Sequence, residues 1–127
     1  MSPKTNNVQR LCLRQNQISD VDIPEELAPS LQEIDLYDNG IAHVRGFEAF
    51  TELTSLDLSF NKIKHIKRIN HLKKLKDLYF VQNKISTIEG LEGLSNLRQI
   101  ELGANKIRVS LNARTLVSFK AADMNSR

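Results

Sequence analysis

Asp35 and Asp57 stand 22 residues apart, and so do His43 and His65. In a chain that stacks turns of that length, each pair becomes a pair of neighbours. Two adjacent carboxylates can do general acid–base work when an enclosed, apolar setting raises the pKa of one of them. Two histidines with a carboxylate form a minimal ligand set for a zinc-type ion, and Asp20 and Thr87 share the histidines' phase. Cys12 lies between Arg10 and Arg14, whose charge favours a thiolate. Each set lacks something. An open sheet offers no enclosed pocket for the aspartates. The metal column is exposed and draws its third ligand from an irregular segment. No histidine accompanies Cys12. There is no glycine-rich phosphate loop and no clustered Cys/His motif. The expectation is a chain that is not an enzyme, with no catalytic residue, no cofactor and no metal.

The element that would bring these residues together is a repeat. Asparagines recur at Asn16, Asn39, Asn61, Asn83 and Asn105, spaced by 23, 22, 22 and 22 residues. Around them one frame returns: VQRLCLRQNQI from Val8, LQEIDLYDNGI from Leu31, LTSLDLSFNKI from Leu53, LKDLYFVQNKI from Leu75 and LRQIELGANKI from Leu97. Phe80 is the one aromatic within the L-x-L pair, whose other positions hold leucine or isoleucine. The frame L-x-x-L-x-L-x-x-N-x-I resembles the leucine-rich-repeat signature. Its physics is direct. L-x-L alternates as a strand does, so both apolar residues face the interior of a solenoid. The asparagine amide, at once donor and acceptor, can satisfy backbone groups where the chain must turn.

The second half of each unit places apolar residues three apart, as in Ile63, Ile66, Ile69 and Leu72, which suits short helical turns. The fold expected is an α/β solenoid of about five 22-residue leucine-rich repeats. It has a parallel concave sheet, with strands near 11–13, 34–36, 56–58, 78–80 and 100–102, and short helical turns on the convex side. Residues 1–7 read as a polar lead, 8–108 as the solenoid and 109–127 as a degenerate repeat or divergent tail. In that tail Phe119, Ala122 and Met124 recover the apolar phase only weakly, and neither end shows a capping element, so a fragment, a variant form or a domain that relies on a partner is expected. In repeat one, Asp22–Pro29 carries two prolines, and Pro24 suits the first position of a short helix.

Composition agrees with one domain: 127 residues, 40% hydrophobic and 26% charged, with no apolar run near the ~20 residues of a membrane span. A single cysteine excludes an internal disulfide. With no apolar leader and no glycosylation sequon, the expected location is nucleus and cytoplasm, without a membrane.

The concave positions of the five repeats hold Glu33, Asp35, Asp57, Asp77 and Glu101, with Arg10 and Arg14 confined to repeat one. Tyr37 and Tyr79 interleave with them, and Phe60 stands at a strand exit. Exposed aromatics beside charges that can be desolvated suit a protein interface, here for a basic surface. The candidate partner-binding residues are therefore Asp57, Tyr79 and Glu101, with Asp35, Tyr37 and Phe60 around them. Basic side chains crowd residues 62–76, most of them on the convex side by phase. With a net charge of only +3 and no aromatic interleaving there, nucleic-acid binding is the less favoured use.

The variable positions within DLYDN, DLSFN, FVQNKIS and ELGANKIR sharpen the resemblance. Over roughly residues 8–108 the chain is similar to leucine-rich-repeat proteins of the protein phosphatase 1 regulatory subunit 7 type. That resemblance implies a nuclear and cytosolic regulator that holds the protein phosphatase 1 catalytic subunit on its concave face. Asp57, Tyr79 and Glu101 occupy contacting positions and Asp35 is in phase with them. It also implies more repeats and a C-terminal cap that this chain lacks. Related adaptors for cytoskeletal, dynein or spliceosomal proteins are the alternative class.

Overall fold

The structure is a computed structural model that describes residues 7–108. The first six residues and the tail positions Phe119, Ala122 and Met124 lie outside the described residues. Five strands of three residues each form one parallel sheet in chain order: β1 (Arg10–Cys12), β2 (Glu33–Asp35), β3 (Ser55–Asp57), β4 (Asp77–Tyr79) and β5 (Gln99–Glu101). Leu11, Ile34, Leu56, Leu78 and Ile100 pair in register across it. Each strand begins one residue earlier than L-x-L suggests. The ladder nevertheless runs on through the second apolar residue of the pair, because Leu13, Leu36, Leu58 and Phe80 donate to Asp35, Asp57, Tyr79 and Glu101 at 2.8–2.9 Å. Regular strand geometry therefore shifts by one residue while the paired segment stays where the leucines place it.

The convex side is made of isolated turns rather than helices. Leu72 N–H donates to Ile69 C=O at 3.0 Å and Leu75 N–H to Leu72 C=O at 3.1 Å, and the same three-residue steps recur at Phe47/Phe50/Leu53 and Leu91/Leu94/Leu97. Apolar residues three apart eclipse one another in such turns, so each step sends one side chain inward. The single described helix is a 3₁₀ turn at Glu25–Leu27 in the irregular first crossover. Pro24 precedes it, one place earlier than the expected first helical position, and accepts from Leu27.

Side chains from each phase stack into columns. Ile41, Ile63 and Ile85 are fully buried, as are Leu53 and Leu75, while Phe47, Ile69 and Leu91 fill another column. Leu56 at the centre has no exposed surface. No rung could bury this surface alone, so the stack is the folding unit.

The asparagines hold the turns. Asn61 Nδ2 donates to Leu58 C=O of its own rung at 3.0 Å and to Leu36 C=O of the preceding rung at 3.1 Å, while Oδ1 accepts from Ile41 N–H at 3.0 Å. Asn83 repeats the pattern on Phe80, Leu58 and Ile63. Asn105 repeats it on Leu102, Phe80 and Ile85. The residue before each asparagine is left-handed: Gln15, Asp38, Phe60, Gln82 and Ala104 have φ between 56° and 61°. A second left-handed column runs along the convex side through Gly46, Arg68 and Gly90 at φ 95°, 64° and 74°. At Gly90 an added Cβ would press into the Ile66 carbonyl.

This geometry sets the stability cost of three substitutions. Asn61→Ala removes four hydrogen bonds, to the Leu36, Leu58 and Ser59 carbonyls and from Ile41 N–H, and should cost about 3 kcal/mol, since each stranded group costs ~1–3 kcal/mol. Asn16→Ala should cost less than about 1 kcal/mol, because that exposed amide donates only to Arg14 C=O. Gly90→Ala should cost about 3 kcal/mol through backbone strain and collision. Urea unfolding of the three variants checks all of these; an Asn16→Ala cost equal to that of Asn61→Ala would contradict the ladder.

Candidate functional site

In β2 to β5 the middle side chain of each strand is buried and the first and third face the concave surface half-exposed, while in β1 the middle Leu11 is itself only half-buried. Register then decides who meets whom. Asp35, Asp57, Tyr79 and Glu101 are consecutive Cα partners across β2 to β5. Neighbouring strands lie about 4.8 Å apart, so these four form one continuous row. The sheet thus brings together Asp57, Tyr79 and Glu101 as the sequence predicts, with Asp35 at the end of the row.

Tyr37 and Phe60 form a second group beside it. Their rings lie 4.9 Å apart at 45°. Arg14 sits 4.6 Å above the Tyr37 ring and holds Asp35 at 2.7 Å. Phe60 is 39% exposed and occupies the left-handed position before Asn61, where a bulky side chain is uncommon. Tyr37 N–H donates to Asp35 Oδ1 at 3.1 Å, so Asp35 joins the two groups.

The charge of the face differs from its sequence count. Repeats two to five carry five concave acids, yet three are ion-paired: Glu33 with Arg10 at 3.0 Å, Asp35 with Arg14, and Asp77 with Arg98 at 3.1 Å. Arg98 meets Asp77 with two nitrogens, the second at 3.2 Å. Arg98 precedes β5, outside the positions that the strand pattern assigns to the concave face, and reaches in with its length. What remains is sharper: among the described residues Asp57 and Glu101 form no ion pair, and they flank Tyr79. Glu101 accepts only a neutral hydrogen bond from Gln99 at 2.9 Å.

Burial raises the Asp57 pKa above its ordinary value, and Asp35 adds to the effect. Hydrogen bonds from the backbone and side chain of Ser59 oppose it. Ser59 N–H donates to Asp57 Oδ1 at 2.9 Å, and the buried Ser59 hydroxyl accepts from Val81 N–H at 3.0 Å. Ser59 is thus a positioning residue for Asp57 that the sequence reading missed. A serine in a column otherwise holding Tyr37, Val81 and Gly103 was the available signal. The Tyr79 phenol is also raised, first by burial and then by Asp77, Glu101 and Asp57, so it stays a neutral hydrogen-bonding group.

The other candidate chemistries disperse. His65 Nδ1 turns to Glu89 at 3.2 Å and Asp20 takes Arg45 at 3.1 Å, so the histidine phase is split between two separate pairs. Among the described residues no three His, Cys, Asp or Glu side chains gather closely enough to hold a metal ion. The arginines beside Cys12 are committed to Glu33 and Asp35, and the exposed thiol itself lies 4.0 Å from Asp35. Asp35 and Asp57 are register partners, but the hollow over them is only about 90 Å³ and open to solvent. In the basic convex segment Lys74 pairs with Glu52 at 2.7 Å. No described helix is long and apolar enough to cross a membrane.

Residues 51–107 match the family model described as leucine rich repeat. Among solved structures, the chain is similar to an internalin C2 of Listeria monocytogenes, at 29% identity over 86% of this chain with a TM-score of 0.69. It is also similar to an internalin, inlF, of the same organism, at 32% identity over 71% of this chain with a TM-score of 0.62. The chain spans 49% of the first and 26% of the second. No curated protein matches. Strand register, asparagine ladder and repeat length make this chain a leucine-rich-repeat solenoid.

Asp57 yields a pH test. An acid whose pKa is raised by folding adds most to stability when protonated, below its unfolded value. That contribution is lost as pH rises through the folded pKa. Asp57→Asn keeps the oxygen that accepts from Ser59 and removes the desolvated charge. At pH 7 the variant should therefore melt at or above wild type, and the difference should shrink as pH falls through the carboxylate range. Thermal unfolding between about pH 3 and 7 checks this; a variant that is much less stable at pH 7 and recovers in acid would contradict the assignment.

Proposed function

We propose that this leucine-rich-repeat chain is a non-catalytic protein-binding module, and that it holds a basic protein surface on its concave face. The observation that carries the reading is the row Asp57–Tyr79–Glu101. A tyrosine with apolar area and a polar tip is flanked at one-strand spacing by two carboxylates without internal cations. A row without internal partners favours an external one, because the desolvation cost already carried by Asp57 is offset when a cation arrives. Tyrosine beside charge that becomes fully desolvated is the composition of an interface hot spot. The rigid scaffold adds to this, since strands pinned by backbone ladders lose little entropy on binding.

At the finer level we propose the protein phosphatase 1 catalytic subunit as the partner, in a regulatory complex of nucleus and cytoplasm. The support is the resemblance at the variable repeat positions together with the acidic, aromatic chemistry of the row.

Titration of purified phosphatase catalytic subunit against the chain tests both levels. Tyr79→Ala should weaken binding by about 2 kcal/mol or more, as for a buried aromatic anchor. Asp57→Ala should cost less than Tyr79→Ala, and Lys67→Ala/Arg68→Ala on the convex side should cost nothing measurable. A triple Asp57→Ala/Tyr79→Ala/Glu101→Ala variant that binds as well as wild type removes the concave face from the interaction. A wild-type chain that does not bind removes the phosphatase as its partner.

A further inference from the structure

Immediately after each strand the chain turns through its asparagine, and the turn residues form a narrow flank between the concave and convex sides. Three lysines, Lys62, Lys84 and Lys106, share one phase of that flank, each directly following its asparagine. Their backbone N–H groups donate to Ile41, Ile63 and Ile85 of the preceding rung at 2.8–2.9 Å, so the three residues stack rung on rung. Two residues further on stand Lys64 and Arg108, and Arg108 N–H donates to Ser86 C=O at 3.0 Å in the same stacking pattern. All five side chains are exposed. Across the flank residues 15–19, 38–42, 60–64, 82–86 and 104–108, these five cations meet a single carboxylate, Asp38.

The arrangement is not neutralised from within. Arg10, Arg14, Arg45, Lys74 and Arg98 each have a carboxylate partner. Among the described residues none of the five flank cations forms an ion pair. Like charges on adjacent rungs, about 4.8 Å apart, oppose folding. The core gains nothing from them, because the neighbouring isoleucines fill it. At Arg10–Glu33, Arg14–Asp35, Arg45–Asp20, Lys74–Glu52 and Arg98–Asp77 opposite charges meet across rungs. Here the chain repeats one sign.

The column begins where a hollow ends. In repeats one and two the lysine phase holds Gln17 and Gly40, and the next outward phase holds Ser19 and Ala42. The missing bulk leaves an open hollow of about 550 Å³ lined by Gln15, Gln17, Ser19, Gly40 and Asp38, with Lys62 as its far wall. Amides, a hydroxyl and bare backbone are groups that recognise a peptide main chain.

We propose that this flank is a docking groove for an acidic, extended segment of a partner protein, running along the solenoid axis. Its carboxylates would lie against Lys62, Lys84 and Lys106, and its leading residues in the hollow. Five rungs span about 19 Å, which corresponds to about six residues of extended chain. A peptide fits better than nucleic acid. The flank's one exposed aromatic, Phe60, is already packed on Tyr37, so no row of stacking platforms accompanies the charge. The groove is separate from the concave row, and its test is independent of the phosphatase reading.

The experiment is fluorescence anisotropy of the full chain with labelled hexaglutamate, with hexaglutamine and a thymidine hexanucleotide as parallel probes. Hexaglutamate should bind and hexaglutamine should not. Lys62→Gln/Lys84→Gln/Lys106→Gln should weaken hexaglutamate binding by about tenfold or more at low salt, where exposed charge pairs count most. The convex control Lys67→Gln/Arg68→Gln/Lys73→Gln removes the same charge and should change it less than about threefold. Melting curves confirm that both triples fold. No binding of hexaglutamate, equal losses in the two triples, or tighter binding of the hexanucleotide than of hexaglutamate would each overturn the proposal.

Discussion

The side chain of one asparagine per turn is the interaction on which the structure depends. A chain that leaves a strand and bends sharply strands its carbonyls, and in a solenoid those carbonyls lie inside the stack, away from water. The amide resolves this with one donor group that serves two rungs. Leu36 C=O accepts from Asn39 and Asn61, Leu58 C=O from Asn61 and Asn83, and Phe80 C=O from Asn83 and Asn105. Each of these carbonyls thus receives two donors, matching its two lone pairs. Aspartate has no donor and serine too short a reach. The left-handed residue before each asparagine is the backbone cost of this arrangement, and it is accepted even at Phe60.

Because the amides hold the turns, the strands can be very short. Three residues per strand would be a marginal sheet in isolation. Here every strand is fixed at its exit by an asparagine and beneath by Leu56 and its column mates, so the outward side chains are free to differ. Their differences become columns and rows on a rigid surface. The Asp35–Asp57–Tyr79–Glu101 row is one product of that rule. The cross-rung pairs Arg10–Glu33 and Arg14–Asp35 are another, since stacking converts a separation of 21 or 23 residues into contact.

The phase-locked features were legible in the sequence. The parallel sheet, the buried L-x-L pairs and the neighbourhood of Asp57, Tyr79 and Glu101 all derive from counting in 22s. The features that escaped are those set by side-chain reach and by backbone angle. Arg98 crosses from outside the strand to neutralise Asp77, so the acidity of the face cannot be counted from strand positions alone. Ser59 is buried because its hydroxyl serves Val81 N–H, which no polarity scale anticipates. Residues three apart suggested helical turns on the convex side, yet single turns closed by one hydrogen bond satisfy the same spacing. Pattern identifies which face a residue occupies, but not how many consecutive residues share one dihedral region.

The same distinction bears on charge. A net +3 describes no surface of this protein. The concave row holds two uncompensated carboxylates, the neighbouring turn flank holds five uncompensated cations, and the asparagine ladder lies between them. Separation by a few residues in each rung, repeated in phase, creates two adjoining surfaces of opposite sign. Random placement of the same residues would mix them. The 22-residue period therefore separates the charges into columns, while composition alone sets the low net charge. Any partner selected by electrostatics meets a column of this molecule rather than its average.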